Sequence, residues 1–259
     1  MNYVQSVVLG IIEGITEFFP ISSTGHMILI AYIMKILNND IINLYIVSVQ
    51  LGSILSIIFL YRKKIFFQKF SFYIKIIIAN FPVGIFGLIL YKKIYFLLKN
   101  PFLVSLSMFL GGLIILKSEN FYKKNIYKKR NHITYYRAFI IGLCQCISLI
   151  PGISRSGTTI VSGLLQNIDR KESIEFSFFL SIPIIIIAFF KKNFDFYMES
   201  NLFINNNIIS ILIGNISAFI TSMISIKYFM KYLKNNDFKL FGYYRIIIGS
   251  LFIFIYYIQ

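Results

Sequence analysis

Apolar residues along the chain gather in long runs, and Lys, Asn and Tyr collect in the short segments between them. Six runs, roughly 41–61, 74–91, 102–117, 173–190, 207–230 and 241–258, have the length and apolarity that predict membrane-spanning helices. Two further apolar regions, roughly 3–37 and 138–168, are each interrupted midway by Pro, Gly and hydroxyl residues. The first contains EGITEFFPISSTGH at 13–26, with two carboxylates, four hydroxyls and a histidine in an apolar setting. A charge near the bilayer centre costs about 2.5–3.5 kcal/mol on the lenient insertion scale, so such a cluster predicts a function that offsets it.

The interrupted regions align with each other. LGIIEGITEFFPISSTGH at 9–26 matches IGLCQCISLIPGISRSGT at 141–158 without a gap, at an offset of 132 residues. Gly10 meets Gly142, Glu13 meets Gln145, Thr16 meets Ser148, Ser22 meets Ser154, Thr24 meets Ser156 and Gly25 meets Gly157. Three candidate spans follow each region, which predicts an internal duplication within one membrane domain over 1–259, with repeat 1 at about 1–120 and repeat 2 at about 135–259. If each interrupted region is a re-entrant hairpin that enters and leaves by one face, each half crosses the membrane an odd number of times and the second half is inverted. Loop charges then divide sixteen Lys and Arg against six, and the richer side is cytoplasmic. Lys35, Lys92, Lys93, Lys99, Lys191 and Lys192 fall outside, with both termini and the mouth of the first hairpin. The expected fold is therefore an all-α integral membrane protein, an inverted-topology repeat with six transmembrane helices and two re-entrant helical hairpins. Unwound backbone is tolerated in a bilayer only where protein or a water-filled cavity surrounds it, so the two breaks should meet inside the protein.

Composition agrees with a polytopic membrane protein: 57% of residues are hydrophobic, only 14% are charged, and the mean hydropathy is +0.74. The net charge of +16 raises the question of nucleic acid. The basic residues lie mostly in short loops, densest in KKNIYKKRNH at 123–132, without a basic helix or an aromatic-interleaved platform, so they read as topology signals and no nucleic-acid partner is expected. Cys144 and Cys146 are the only cysteines; with no second pair or nearby histidine to complete a zinc set, they read as small buried hydrophobes. The N-terminal MNYVQS lacks a basic n-region and is read as mature protein.

The interruptions carry the candidate chemistry. PGISRSGTT at 151–159 places Arg155 among Ser154, Ser156, Thr158 and Thr159, with Gly152 and Gly157 allowing close backbone approach. A guanidinium fork, hydroxyls and free N–H groups at a helix start suit an anionic phosphate. Ser22, Ser23, Thr24 and Gly25 form a similar turn, followed at once by His26. Glu13 and Glu17 stand one turn apart on a helix face, and their mutual repulsion predicts compensation by Arg155 or by a divalent cation, Mg²⁺ or Ca²⁺. Acid or base, nucleophile and charge clamp are the parts of phosphoryl transfer. The structural alternative is that Arg155 merely pairs with Glu13 or Glu17 while the hydroxyls satisfy neighbouring carbonyls. His132 reads as solvated surface. Gln50 either lines the cavity or bonds between helices. Arg245, near a predicted cytoplasmic helix end, is expected to snorkel to the interface and is given no chemistry.

EGITEFFPISSTGH at 13–26 and PGISRSGTT at 151–159 resemble the two signature motifs of the undecaprenyl pyrophosphate phosphatase family, also called bacitracin-resistance proteins. The resemblance continues through VQLGSIL at 49–55, EFSFFLSIP at 175–183 and YYRIIIG at 243–249, nearly the whole chain. It implies a bacterial inner-membrane enzyme that removes the terminal phosphate of undecaprenyl diphosphate, regenerating the lipid carrier for peptidoglycan, with its active site toward the outer, periplasmic face. By position, Glu13 and Glu17 match the family's acidic pair, Ser22 and Ser23 its serines, His26 its histidine and Arg155 its phosphate-binding arginine, while Ser154 and Thr159 match polar site positions. The implied roles are Ser23 as nucleophile, His26 as its base and later acid, Arg155 as clamp, and Glu13 with Glu17 as cation or water ligands. Ser22, Thr24, Gly25, Ser154, Ser156, Gly157 and Thr159 are the expected substrate-binding residues. The partners are the lipid substrate and membrane lipids; a homodimer is left open. A polyprenyl-phosphate transporter or flippase is the alternative, because inverted repeats with broken helices also build transporters. A phosphohistidine lipid phosphatase fits poorly, since its mechanism needs a second histidine beyond the arginine motif and His132 precedes Arg155.

Overall fold

The apolar runs fold as helices because lipid offers the backbone no hydrogen-bond partners, so each segment must satisfy its own N–H and C=O groups. The computed structural model describes residues 1–37, 40–125, 132–199 and 204–258. In chain order the helices are α1 (Tyr3–Thr16), α2 (Ser23–Ile33), α3 (Asp40–Phe66), α4 (Phe70–Ile89), α5 (Tyr91–Leu98) and α6 (Pro101–Lys124) in the first half. The second half has α7 (Tyr135–Gln145), extended by a 3-10 turn at Cys146–Leu149, then α8 (Arg155–Leu165), α9 (Arg170–Glu199), α10 (Ile204–Tyr232) and α11 (Lys239–Ile258). No strand occurs among the described residues.

Six of these helices, α3, α4, α6, α9, α10 and α11, are long and apolar enough to cross a membrane. On α10, Leu212, Ile216, Ile220 and Ile224 form an exposed stripe at four-residue spacing. Such a stripe would be an aggregation hazard in water but is well solvated by lipid. The helices overrun several of the expected spans; α4 ends at Ile89, close to the expected end of its run, and after Leu90 leaves helical geometry Tyr91–Leu98 forms the short helix α5 where a loop was expected. Of the basic stretch at 123–132, residues 126–131 lie outside the described residues; His132 is exposed, as expected.

The interrupted regions become two pairs of short helices. At 1.5 Å per residue, α1 and α2 reach only about 21 and 17 Å, short of the roughly 30 Å hydrocarbon thickness. The same holds for α7 and α8, and the members of each pair pack on one another. The 132-residue offset recurs in the helix bounds: Tyr135 against Tyr3, Arg155 against Ser23, and Leu165 against Ile33.

Contacts cross between the halves. α1 packs on α10 and α7 on α4, so each half's first helix lies against a helix of the other half, while α6 runs along α11 and α3 along α9. Small residues permit this approach. A Cβ on Gly10 would lie 3.0 Å from the Gly214 Cα, and a Cβ on Gly142 would lie 2.8 Å from the Ala79 Cα. These two glycines are related by the same offset, and both provide the close helix contacts on which packing in lipid depends.

Candidate active site

Both breaks end in a serine cap. In the first, Pro20 lacks the N–H a helix needs, Ser22 turns left-handed at φ 73°, and its Oγ accepts a hydrogen bond from the Gly25 N–H at 3.2 Å, so α2 starts at Ser23. In the second, Pro151 and the left-handed Gly152 (φ 91°) make the turn. The Ser154 Oγ accepts from the Gly157 N–H at 3.0 Å and α8 starts at Arg155. Gly152 is needed there twice over, because a Cβ would also collide with the Val104 carbonyl.

The two breaks meet. Ser156 Oγ donates to the Phe19 carbonyl at 2.8 Å, and Arg155 Nη2 donates to Glu17 Oε1 at 2.7 Å. The other Glu17 oxygen, Oε2, accepts a short hydrogen bond from Ser23 Oγ. Arg155 is held from behind, its Nη1 on the Ser177 carbonyl at 3.0 Å, and Thr159 Oγ1 lies 2.7 Å from Ser177 Oγ, tying α8 to α9. Nucleophile-type hydroxyl, carboxylate and guanidinium thus form one continuous chain of polar contacts, Ser23–Glu17–Arg155.

That chain lies on a cavity of about 240 Å³. Glu17, Ser22, Ser23 and Thr24 line it from the first break, and Ser154, Arg155 and Ser156 from the second. Its other walls are largely apolar, among them Ile46 of α3, Val83 of α4, Ile94 and Leu98 of α5, and Ile184 and Ile185 of α9. Gln50 also lines it and donates to Thr24 Oγ1 at 3.4 Å, so both readings of that amide hold.

Five expected site residues stand away from the cavity. Gly25 and Gly157 give their N–H groups to the serine caps, and Thr159 is engaged with α9. His26 does not meet Ser23. Its Nδ1 lies 2.8 Å from the Ser22 carbonyl and its Nε2 2.9 Å from the Tyr244 hydroxyl, with the ring stacked on Tyr244. Three residues beyond Ser23, its side chain leaves α2 about 60° away round the helix, toward α11. The partner of Ser23 is Glu17 instead. Glu13 sits one turn behind Glu17, fully buried, and neither of its carboxylate oxygens has a hydrogen-bond partner.

Arg245 departs from expectation most. It does not snorkel: it is 2% exposed and donates to four carbonyls, those of Gly152 at 2.9 Å, Met108 at 3.1 Å, Pro20 at 3.2 Å and Ser107 at 3.3 Å. The available signal was that it falls within the apolar run at 241–258, though near one end of it, where an ionisable residue is a candidate for function.

A cation would find oxygen donors only. Among the described residues no group of three or more His, Cys, Asp and Glu could hold a metal ion, which leaves the Glu13–Glu17 pair. The unpartnered oxygens of Glu13 and the carboxylate and hydroxyl donors beside them fit a hard divalent ion whose remaining ligands are water or phosphate oxygens.

The chain is similar to known proteins along nearly its whole length. The family model described as bacitracin resistance protein BacA matches residues 6–251. An undecaprenyl-diphosphatase from Flavobacterium psychrophilum is 44% identical over 257 residues, 99% of this chain and 97% of that protein. One from Flavobacterium johnsoniae is 44% identical over 258 residues, with the same coverage. One from Aquifex aeolicus is 41% identical over 250 residues, 96% of each chain.

Proposed function

The chain belongs to the bacitracin resistance protein BacA family, and on that premise we propose that this multi-pass membrane protein hydrolyses undecaprenyl diphosphate to undecaprenyl phosphate and inorganic phosphate. The observation that carries the reading is the Ser23–Glu17–Arg155 chain at a cavity whose remaining walls are largely apolar. A diphosphate joined to a prenyl chain needs both halves of that site.

In the proposed reaction Glu17 takes the proton of Ser23 Oγ as that oxygen attacks the terminal phosphorus. The bond from this phosphorus to the bridging oxygen breaks, and undecaprenyl phosphate leaves with the electron pair, its oxygen taking the proton from Glu17 and so returning the carboxylate to its basic form. Water, deprotonated by Glu17, then attacks the phosphoserine, restoring the hydroxyl and releasing phosphate. Arg155 exchanges its Glu17 partner for phosphate oxygens and stabilises the charge that develops on them. Ser22, Ser154 and Ser156 complete the polar wall. Glu17 replaces His26 as base because Ser23 already donates to it, while both His26 nitrogens face other groups. Glu13 and Glu17 would hold Mg²⁺ or Ca²⁺, which when bound supplies charge neutralisation at the phosphate.

The first pair of short helices is read as an outward re-entrant hairpin and the second as its inverted counterpart, in the bacterial inner membrane. Supporting this, Ile94 and Leu98 line the cavity and lie between Lys92, Lys93 and Lys99, on the side with six loop charges. The positive-inside rule makes that side the periplasm.

The test is phosphate release from undecaprenyl diphosphate by purified protein in detergent, with Glu17→Ala, Ser23→Ala and Arg155→Ala beside wild type, with and without chelator. Wild-type release that collapses in the variants is expected. A well-folded wild type that binds the lipid without releasing phosphate overturns the reading in favour of a polyprenyl-phosphate transporter.

A further inference from the structure

The residue that joins the two breaks lies outside both of them. Pro20 and Gly152 are separated by the same 132 residues that relate the two interrupted regions, and the carbonyls of both accept from the Arg245 guanidinium, through Nη1 and Nη2 respectively. Each carbonyl lies two residues before a capping serine and three before the residue that starts the helix, Ser23 in one break and Arg155 in the other. The spacing between these two carbonyls therefore sets the spacing between hydroxyl and guanidinium at the site.

Chemistry explains why arginine occupies this position. A broken helix leaves carbonyls that lipid cannot satisfy. A planar fork with five N–H donors can span carbonyls from several segments, whereas an ammonium offers its three donors from one atom. Arg245 uses four of the five donors, Nε on Met108, Nη1 on Pro20 and Nη2 on both Ser107 and Gly152, and all four acceptors are carbonyls. Space for the fork exists because α6 has glycine at 111, where a Cβ would collide with Nη2 and lie 2.6 Å from Cζ. Next to it on α11, Tyr244 meets His26 in the first turn of α2, so two consecutive residues of one helix hold the first hairpin.

We infer that Arg245 is a positioning residue for the phosphatase reaction: by gripping the repeat-related carbonyls of Pro20 and Gly152 it holds the two breaks at the separation that brings Ser23, Glu17 and Arg155 together. The inference rests on the phosphatase reading. It assigns Arg245 no contact with substrate; its effect passes through the backbone of the two turns.

The experiment measures kcat and KM for phosphate release from undecaprenyl diphosphate by purified wild type, Arg245→Lys and Gly111→Ala, with size-exclusion elution and helical circular dichroism to establish folding. Arg245→Lys keeps the charge but not the span, and is expected to lower kcat on the order of thirtyfold with KM changed less than about threefold, the pattern of an interaction realised in the transition state. Gly111→Ala leaves Arg245 in the chain but crowds its fork, and is expected to lower kcat roughly tenfold in the same pattern. If Arg245→Lys does not fold, Gly111→Ala is sufficient by itself. A merely structural role would lower the thermal midpoint and leave kcat per folded molecule unchanged. Folded variants with kcat within about twofold of wild type, or with KM raised and kcat intact, overturn the inference. A folded wild type that releases no phosphate instead overturns the reading beneath it.

Discussion

In the first break the helix restarts at Ser23 behind a left-handed serine, and in the second it restarts at Arg155 behind a proline–glycine turn. The framework is shared: Ser22 and Ser154 cap Gly25 and Gly157 in the same way, and Gly10 and Gly142 make the same kind of close helix contact. The chemistry is divided. Glu13 corresponds to Gln145, Glu17 to Leu149 and Ser23 to Arg155, so the carboxylates and the hydroxyl proposed as nucleophile come from one break and the guanidinium from the other. Gln145 donates to the Ala79 carbonyl and to Asn80, whereas Glu13 has no hydrogen-bond partner. The two matching turns face each other, and the differences at a few positions place the two halves of the proposed phosphate site on opposite breaks.

The largest expected effect comes from removing the second break's contribution. Arg155→Ala should lower kcat/KM on the order of a thousandfold, about 4 kcal/mol, because it removes the phosphate clamp and leaves Glu17 buried without its cation. Phosphate release measures this, and a loss under tenfold would mean that the second break supplies shape alone. Next, Gly152→Ala should destabilise the protein by about 3 kcal/mol, since it combines a left-handed backbone with a clash against Val104. Thermal unfolding in detergent tests it; an unchanged midpoint would break the claim that the two turns are held by backbone geometry.

Glu13→Gln addresses the asymmetry directly by giving the first break the type of side chain the second already has. The Mg²⁺ concentration for half-maximal activity should rise about tenfold, equivalent to about 1.4 kcal/mol, while the fold persists because Gln145 shows that an amide is accommodated at the matching position. An unchanged metal dependence would remove Glu13 from the cation site. The smallest effect is expected from Ser22→Gly. Glycine relieves the left-handed φ by about 1 kcal/mol and loses only a few tenths as a cap, so the variant should melt at or slightly above wild type. Its activity should nonetheless fall severalfold as the turn loosens; a variant both more stable and fully active would show that the strain at Ser22 serves no purpose.

Most of the site is readable from the chain because its two motifs carry polar residues where lipid tolerates few. Glu17, Ser23 and Arg155 all stand out in this way, and the 132-residue offset locates the matching turns. The assignment of partners is not readable. His26 lies closer to Ser23 in sequence than Glu17 does, yet the fold turns its ring toward Tyr244. The role of Arg245 stays hidden because its four acceptors are backbone carbonyls from three separate segments, which leave no mark on side-chain pattern.

By itself the sequence determined the membrane architecture and the residues available for chemistry, because apolar run length, interrupted periodicity and buried polar groups are local quantities with large energies in lipid. Only the tertiary structure decided which carboxylate meets which hydroxyl, that Glu13 stands behind the cavity and not in it, and that an arginine on the last helix holds both breaks. Those outcomes depend on helix rotation and approach, and a rotation of about 60° between residues on adjacent turns is decided by packing against distant segments.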